Sequence, residues 1–562
     1  MPPSDNPPRP RRTRTTHQQV GRCHPETQST KTRATRHRRL RRILNPMFKK
    51  LWEIFFGKSS KGKTMIPWGN RKLGKQSREH HFYALGAQGS GKTRLIRHMM
   101  ETLFPLITPD ASPPHRAFVY DVKPEYMKFL YAYKEKGIIH PDTRIIPLHP
   151  IKDRRSWGWD IAAELNAYPE NIREQPAGDL ANEFILKDSS TKESEFFADF
   201  ARILLKNGML HLDRHCTDKN DWGYTWSLYD LLQIASDPHY QQQLAENTGS
   251  QETYDNIRVS LDTKLNSLKF VAQFMALAQQ QPTGELDDEG KPIYRSFTLR
   301  DWMRSTDILI IRGHKHIDSG ITALNRVFFS QLVTVLTEKD DLNATHENYG
   351  YTWVWFDEVL KAGPLSALPE FCEQCRSKGG TAILGFQSIP GLHLLYQNTN
   401  IGKHLLELVG NRAVLRVGPE TAKFAAEVFG EKQQGINPQT GEPIIVQRYP
   451  AQTFKDIPEC SPQVGVQGFF SSPGGKYWQT SLRHDLIPEH MTTPNLGNNF
   501  WPGDAYPEEN PNLSVLKKHP EIEWPQKITG DDNSDDTYTS IYDLPLNFFD
   551  PEYDPGEDQD HD

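Results

Sequence analysis

The segment GAQGSGKT, Gly86 to Thr93, constrains this chain more than any other feature. It fits the pattern G-x-x-x-x-G-K-[ST], a loop whose glycines let successive backbone N–H groups turn inward around phosphate oxygens. The start of the following helix adds its positive dipole end. Gly86, Ala87, Gln88, Gly89, Ser90, Gly91, Lys92 and Thr93 are therefore candidate nucleotide-binding residues. Lys92 can reach β- and γ-phosphates, and the Thr93 hydroxyl can bind Mg²⁺. The flanks agree: apolar HFYALGA reads as a strand before the loop, and TRLIRHMMETLF as a helix after it. Such a unit implies an α/β fold with ATP and Mg²⁺ as ligands.

A metal-bearing phosphate site also needs a carboxylate at the end of a neighbouring strand. YTWVWFDE supplies two. Asp357 is expected to hold the Mg²⁺ shell, and Glu358 to activate or align the attacking water. RAFVYDVKPE also ends an apolar run with acids, Asp121 and Glu125, and ranks second because they are not adjacent. Gln387 closes TAILGFQS, where a strand-terminal amide can touch the γ-phosphate or the water. Between those strands EFCEQCRSKGG carries Arg376. Spacing alone leaves it either a solvated surface arginine or a group projecting toward a neighbouring subunit's nucleotide. Cys372 and Cys375 form a CxxC with no second pair or histidines at zinc spacing nearby, and read as packed thiols.

Further apolar runs set the organisation. DILIIRG and RAVLRVG read as strands and ALNRVFFSQLVTVLTEK as a helix, so strands and helices alternate as in a mostly parallel sheet covered on both faces. Residues 160–295 interrupt this with 3.6-residue periodicity, in ESEFFADFARILLKNGMLHL, SLYDLLQIAS and IRVSLDTKLNSLKFVAQFMALAQ. EPIIVQRY and WQTSLR are expected as peripheral strands. The nucleotide-binding domain is thus expected in two parts, 76–155 and 298–495, around an inserted all-α domain at 156–297.

Composition matters most at the ends. A net charge of −5 hides +17 over residues 1–80 and −14 over 501–562. Residues 1–39 are Pro-, Arg- and Thr-rich and nearly free of aliphatics, so a disordered basic arm is expected. Residues 40–75 form a basic amphipathic segment and linker, and 496–562 an acidic extended tail. In LRRILNPMFKKLWEIFFG (40–57), Ile43, Met47, Leu51 and Ile54 or Phe55 recur at helical spacing among Arg41, Arg42, Lys49 and Lys50. That suits a helix lying on an anionic membrane surface, or a short helix packed on the protein's own body; Pro46 breaks its first turn. There is no uncharged apolar run near the ~18–20 residues a membrane-spanning helix needs, which speaks against an integral membrane protein. MPPSDNPPRPRR has no apolar stretch of a secretory signal. Five cysteines in 562 residues fit a reducing cytoplasm rather than a disulfide scaffold.

Together GAQGSGKT, VYDVKPEY, FDEVLKAGPLSALPEFCEQCRSKGG and ILGFQSIPGL resemble the type IV coupling proteins, the TraD/TraG-like ATPases of bacterial conjugation and type IV secretion. The resemblance spans about residues 78–430, with fainter matches in SWGWDI, SEFFADFARILL and FTLRDWM. The family's D-x-K-G-E becomes Asp121, Lys123 and Glu125, with Pro124 in place of the glycine. By resemblance the fold is RecA-like, with hexameric rings and ATP-driven DNA pumping. Arg376 becomes an arginine finger, completing a catalytic set with Lys92, Glu358 and Gln387 beside the metal-holding Thr93 and Asp357. The helical block resembles the all-α domain that meets DNA or relaxosome proteins. The expected function is a DNA-translocating motor that couples relaxosome DNA to a secretion channel, with relaxase, relaxosome proteins and channel ATPases as partners. It is expected in the cytoplasm, with peripheral contact to the inner face of the bacterial membrane through residues 40–57. Family members usually start with transmembrane helices, and no such run is found here. The acidic tail resembles family tails that bind a basic partner, or is a solubilising tail. Two alternatives stay open: a duplex-DNA pump of the FtsK/HerA type, and a docking adaptor whose nucleotide site is an assembly switch.

Overall fold

The computed structural model describes residues 65–121, 125–148, 155–186, 192–237, 251–312, 318–338, 350–396 and 399–483. The basic head, the amphipathic stretch 40–57 and the acidic tail lie outside these residues.

The apolar runs become the strands of one nine-stranded sheet. In chain order these are β1 (Phe82–Leu85), β2 (His115–Asp121), β3 (Ile145–Leu148), β4 (Ile308–Arg312), β5 (Tyr351–Phe356), β6 (Gly380–Phe386), β7 (Asn411–Val414), β8 (Val466–Ser472) and β9 (Lys476–Leu482). Across the sheet the order is β9-β8-β7-β1-β6-β5-β2-β4-β3. Neighbours from β7 through β3 pair parallel, and β8 pairs antiparallel with β7 and β9. All seven residues of β2 and of β6 are buried, as parallel strands covered on both sides require.

Alternation along each strand divides the core in two. Phe82, Ala117, Val119, Trp353, Trp355 and Ile383 face helices α1 (Lys92–Leu103) and α2 (Tyr126–Glu135). Leu85, Phe118, Tyr120, Val354, Phe356 and Leu384 face the other way, into a larger core. Burying a side chain such as Phe118 or Phe356 contributes about 1.5–3 kcal/mol. The larger core continues into the helical segment: α3 (Glu174–Phe184), α4 (Lys192–His215), α5 (Leu228–Ala235) and α6 (Gln251–Gln279). These lean on α7 (Asp318–Thr337), the crossover helix between β4 and β5. Helices α8 (Leu368–Gln374), α9 (Ile389–Tyr396), α10 (Thr399–Leu408) and α11 (Pro419–Phe429) complete that side.

The helical segment leaves and rejoins the sheet at one point. Gly158–Trp159 pairs parallel with Ser296–Phe297, pinning its two ends together. WQTSLR lies in β9 at the sheet's edge, whereas EPIIVQRY pairs with Glu431–Ile436 in a separate hairpin. Cys372 and Cys375 are buried at the end of α8, and among the described residues no cluster of three or more His, Cys, Asp or Glu side chains forms a metal-binding group. Among the described residues no helix is long and apolar enough to cross a membrane.

Beside the pinning strands sits Glu164, only 2% exposed. It accepts from Trp159 Nε1 at 3.2 Å and from the Leu299 backbone N–H, with Arg300 Nε 3.8 Å away. Burial outweighs these donors and pushes its carboxyl up to about 7. A folded-state pKa above the unfolded one means folding favours the neutral acid. That contribution is complete below the ordinary value of 4.5 and is lost as pH rises through about 7. Glu164→Gln should therefore gain stability relative to the parent between about pH 5 and pH 8, by up to about 3 kcal/mol in urea titrations. Parallel pH profiles for the two proteins would contradict this.

Candidate active site

In a parallel sheet every strand delivers its C-terminal residue to the same edge, so motifs far apart in sequence converge there. The chain leaves β1 into Gly86–Gly91 and enters α1 at Lys92. Gly91 caps that helix at φ +91°, in the left-handed region that glycine adopts without strain. β6 lies between β1 and β5, so Gln387 emerges between the phosphate loop and the Asp357–Glu358 pair. Gly385 makes this possible, because a Cβ there would stand 2.0 Å from the Asp357 carbonyl oxygen.

The side chains meet in a cleft of about 270 Å³ lined by residues 87–93 of the loop, Asp357, Glu358 and Gln387. Thr93 Oγ1 donates to Asp357 Oδ2 at 2.6 Å. Lys92 Nζ donates to Glu358 Oε2 at 3.2 Å, in a pair whose side chains are 8% and 12% exposed. Gln387 Nε2 donates to the same carboxylate oxygen. One ammonium thus faces two carboxylates, leaving an excess negative charge. Asp357 Oδ1 and Glu358 Oε1 are buried with no hydrogen-bond partner among the described residues. Unmet carboxylate oxygens beside a hydroxyl make an all-oxygen donor set, which suits a hard cation such as Mg²⁺.

The second acidic pair divides. Asp121 is fully buried at the end of β2 and accepts from the backbone N–H groups of Tyr126 and Met127, both at 3.2 Å. It caps α2 rather than facing the cleft. Glu125 does line the cleft, and accepts from Arg97 Nη2 at 3.2 Å. Arg376 stands apart from all of these. It is exposed in the turn before β6, at the sheet edge opposite the cleft, near enough to His80 and His81 to add to the lowering of their pKa values by burial. The structure does not bring it to its own subunit's cleft.

Some cleft residues carried no signal in the sequence. Tyr126, Arg94 and Cys460 line the cavity. The segment around Glu459 and Cys460 lies over the phosphate loop. Cys460 N donates to Gly89 O at 3.0 Å, and Arg94 Nη1 to Cys460 Sγ at 3.7 Å. Arg416, just past β7, donates to Gln88 O at 3.2 Å and to Glu459 Oε1 at 3.0 Å. Register along the chain gives no hint of such contacts, because they join loops more than 40 residues apart.

Comparison with known proteins gives the same frame. No curated protein matches the chain. Among solved structures, the bacterial conjugative coupling protein TrwBdeltaN70, unbound, superposes with a TM-score of 0.54 at 16% identity, over 77% of this chain and 91% of that one. The plasmid coupling protein TrwB in complex with ADP and Mg²⁺ gives 0.56 at 15% identity, over 81% and 95%. TrwB with the non-hydrolysable GTP analogue GDPNP gives 0.53 at 16%, over 77% and 92%. At these identities the likeness concerns the fold, a mixed α/β architecture around a large, mostly parallel sheet. Residues 69–440 match the family model of the type IV secretion-system coupling protein DNA-binding domain, and the chain belongs to that family.

Proposed function

We propose that the chain is an ATP-hydrolysing DNA-translocating motor that couples DNA from a processing complex to a type IV secretion channel. The carrying observation is the joining of the phosphate loop to the strand-end acids by Thr93–Asp357 at 2.6 Å and Lys92–Glu358 at 3.2 Å. Family membership supplies the context of secretion and DNA. Similar structures titled with ADP and Mg²⁺ support ATP and Mg²⁺ as ligands here.

The cleft's residues divide the work. Backbone N–H groups of Gly86 to Thr93 hold the phosphates, and Lys92 turns from Glu358 onto the β- and γ-phosphate oxygens. Thr93 and Asp357 hold the Mg²⁺. That ion would supply positive charge to offset the negative charge developing on the phosphates. Departure of Lys92 strips Glu358 of its counter-charge, and the freed carboxylate orients the attacking water and takes its proton. Gln387, bonded to Glu358, follows that change at the end of β6. Arg376 acts in trans, in a ring of subunits and most simply a hexamer, on a neighbour's nucleotide. The helical segment shares one continuous core with Phe356, the residue before Asp357, so strain at the cleft reaches it through packed side chains. Relaxase and channel ATPases are the proposed partners, and residues 40–57 a peripheral membrane contact.

Lys92→Ala should abolish hydrolysis. Glu358→Gln should lower kcat by about 10²-fold or more while fluorescent-ATP binding persists. Full turnover in either variant would refute the assignment of roles. Arg376→Ala should lose on the order of 10³-fold. Mixing it with Lys92→Ala should restore turnover, because some mixed interfaces carry both intact groups. A mixture no more active than its components would rule out action in trans.

A further inference from the structure

One polar group in the cleft has no part in the mechanism above. Tyr126 opens α2 directly behind Glu125, and its ring is 4% exposed, packed at 6.3 Å from the Phe129 ring. Its backbone N–H donates to Asp121 Oδ1 at 3.2 Å, which holds the first turn of α2 at the end of β2. Tyr126 lines the cleft beside Thr93 and Asp357. The Tyr126 hydroxyl is buried and has no hydrogen-bond partner among the described residues. The same holds for Asp357 Oδ1, while Asp357 Oδ2 takes the Thr93 hydroxyl. Burial, and after it the Asp357 carboxylate, raise the Tyr126 phenol well above its ordinary value, so the hydroxyl keeps its proton as a donor. The Tyr126 hydroxyl lies close enough to the Asp357 carboxylate to interact with it, yet neither the hydroxyl nor Asp357 Oδ1 completes a hydrogen bond, so each keeps a desolvation cost. In a site made only of packed core, such a pair would be filled by an apolar ring.

We propose that Tyr126 is a positioning residue for the divalent cation: its hydroxyl donates to Asp357 Oδ1 when nucleotide and cation are bound, fixing the carboxylate between Tyr126 and Thr93 so that its remaining lone pairs face the cation's water shell. The proposal rests on the nucleotide-site reading given above. It differs from a packing role because a phenylalanine would pack as well and could not orient Asp357. It also gives the Asp121 cap a purpose: bonded to the start of α2 from the end of β2, it places Tyr126 at the cleft.

The test is Tyr126→Phe in the full chain, which removes one oxygen and keeps the ring. A fluorescent ADP analogue is titrated with Mg²⁺, and separately in EDTA, with thermal melting of the nucleotide-free protein alongside. The Mg²⁺ concentration for half-maximal tight binding should rise about tenfold, the share of one hydrogen bond to a charged group. Affinity in EDTA and the melting temperature should stay as in the parent, and kcat should fall more than KM changes. An unchanged Mg²⁺ requirement would overturn the proposal. So would an equal loss of affinity in EDTA, which would make Tyr126 a packing residue. Lys92→Ala runs as the control for the site: if the parent binds the analogue and Lys92→Ala does not, a silent Tyr126→Phe refutes the Tyr126 role alone. If the parent binds no nucleotide at all, the nucleotide-site reading fails and takes the proposal with it.

Discussion

Two short contacts, Thr93 to Asp357 and Lys92 to Glu358, tie the first turn of one helix to the end of a strand more than 260 residues away. Everything functional in this fold depends on that closure. It requires β6 between β1 and β5, so that the loop and the acids stand one strand apart with space for phosphates between them. It requires Gly385, because any side chain there would collide with the backbone of Asp357. It also leaves Glu358 paired with the lysine that must later leave it. In the proposed mechanism, nucleotide arrival and activation of the carboxylate are one event, since the ammonium cannot serve both partners.

The same closure explains how the rest of the chain is arranged. Parallel strands place their C-terminal ends together, and Arg376 precedes its strand, so it must lie at the other edge. An arginine so placed does not reach the cleft of its own chain, which is why the proposed role is action in trans. The helical segment, pinned at Gly158–Trp159 and Ser296–Phe297, cannot swing freely. It shares its core with α7 and with the strand that carries the acids.

Much of this was legible because the central strands are buried on both faces and read as unbroken apolar runs, as YTWVWF and TAILGF do. The phosphate loop, the Asp357–Glu358 pair and Gln387 were found from the strand ends they follow. Strand order was not legible, because crossover helices hide which strands are neighbours. β8 was missed because Gln467, Gly468, Ser471 and Ser472 dilute its pattern. β3 was missed because Pro147 breaks its run, which the fold accepts since β3 is an edge strand. The strap over the phosphate loop left no trace, since its contacts, a backbone bond from Cys460, a bond from Arg94 to its thiol and an ion pair from Glu459 to Arg416, follow no periodic pattern. Tyr126 carried no signal in the sequence, and only the cleft singles out its buried hydroxyl.

The central claim is that the cleft drives movement on DNA through assembled subunits. Steady-state ATP hydrolysis by the full chain, with and without DNA and over a range of protein concentrations, tests this most directly. The account predicts strong stimulation by DNA, with activity per subunit that rises as concentration favours assembly. ATP bound normally, with a turnover rate indifferent to DNA at every concentration, would contradict it.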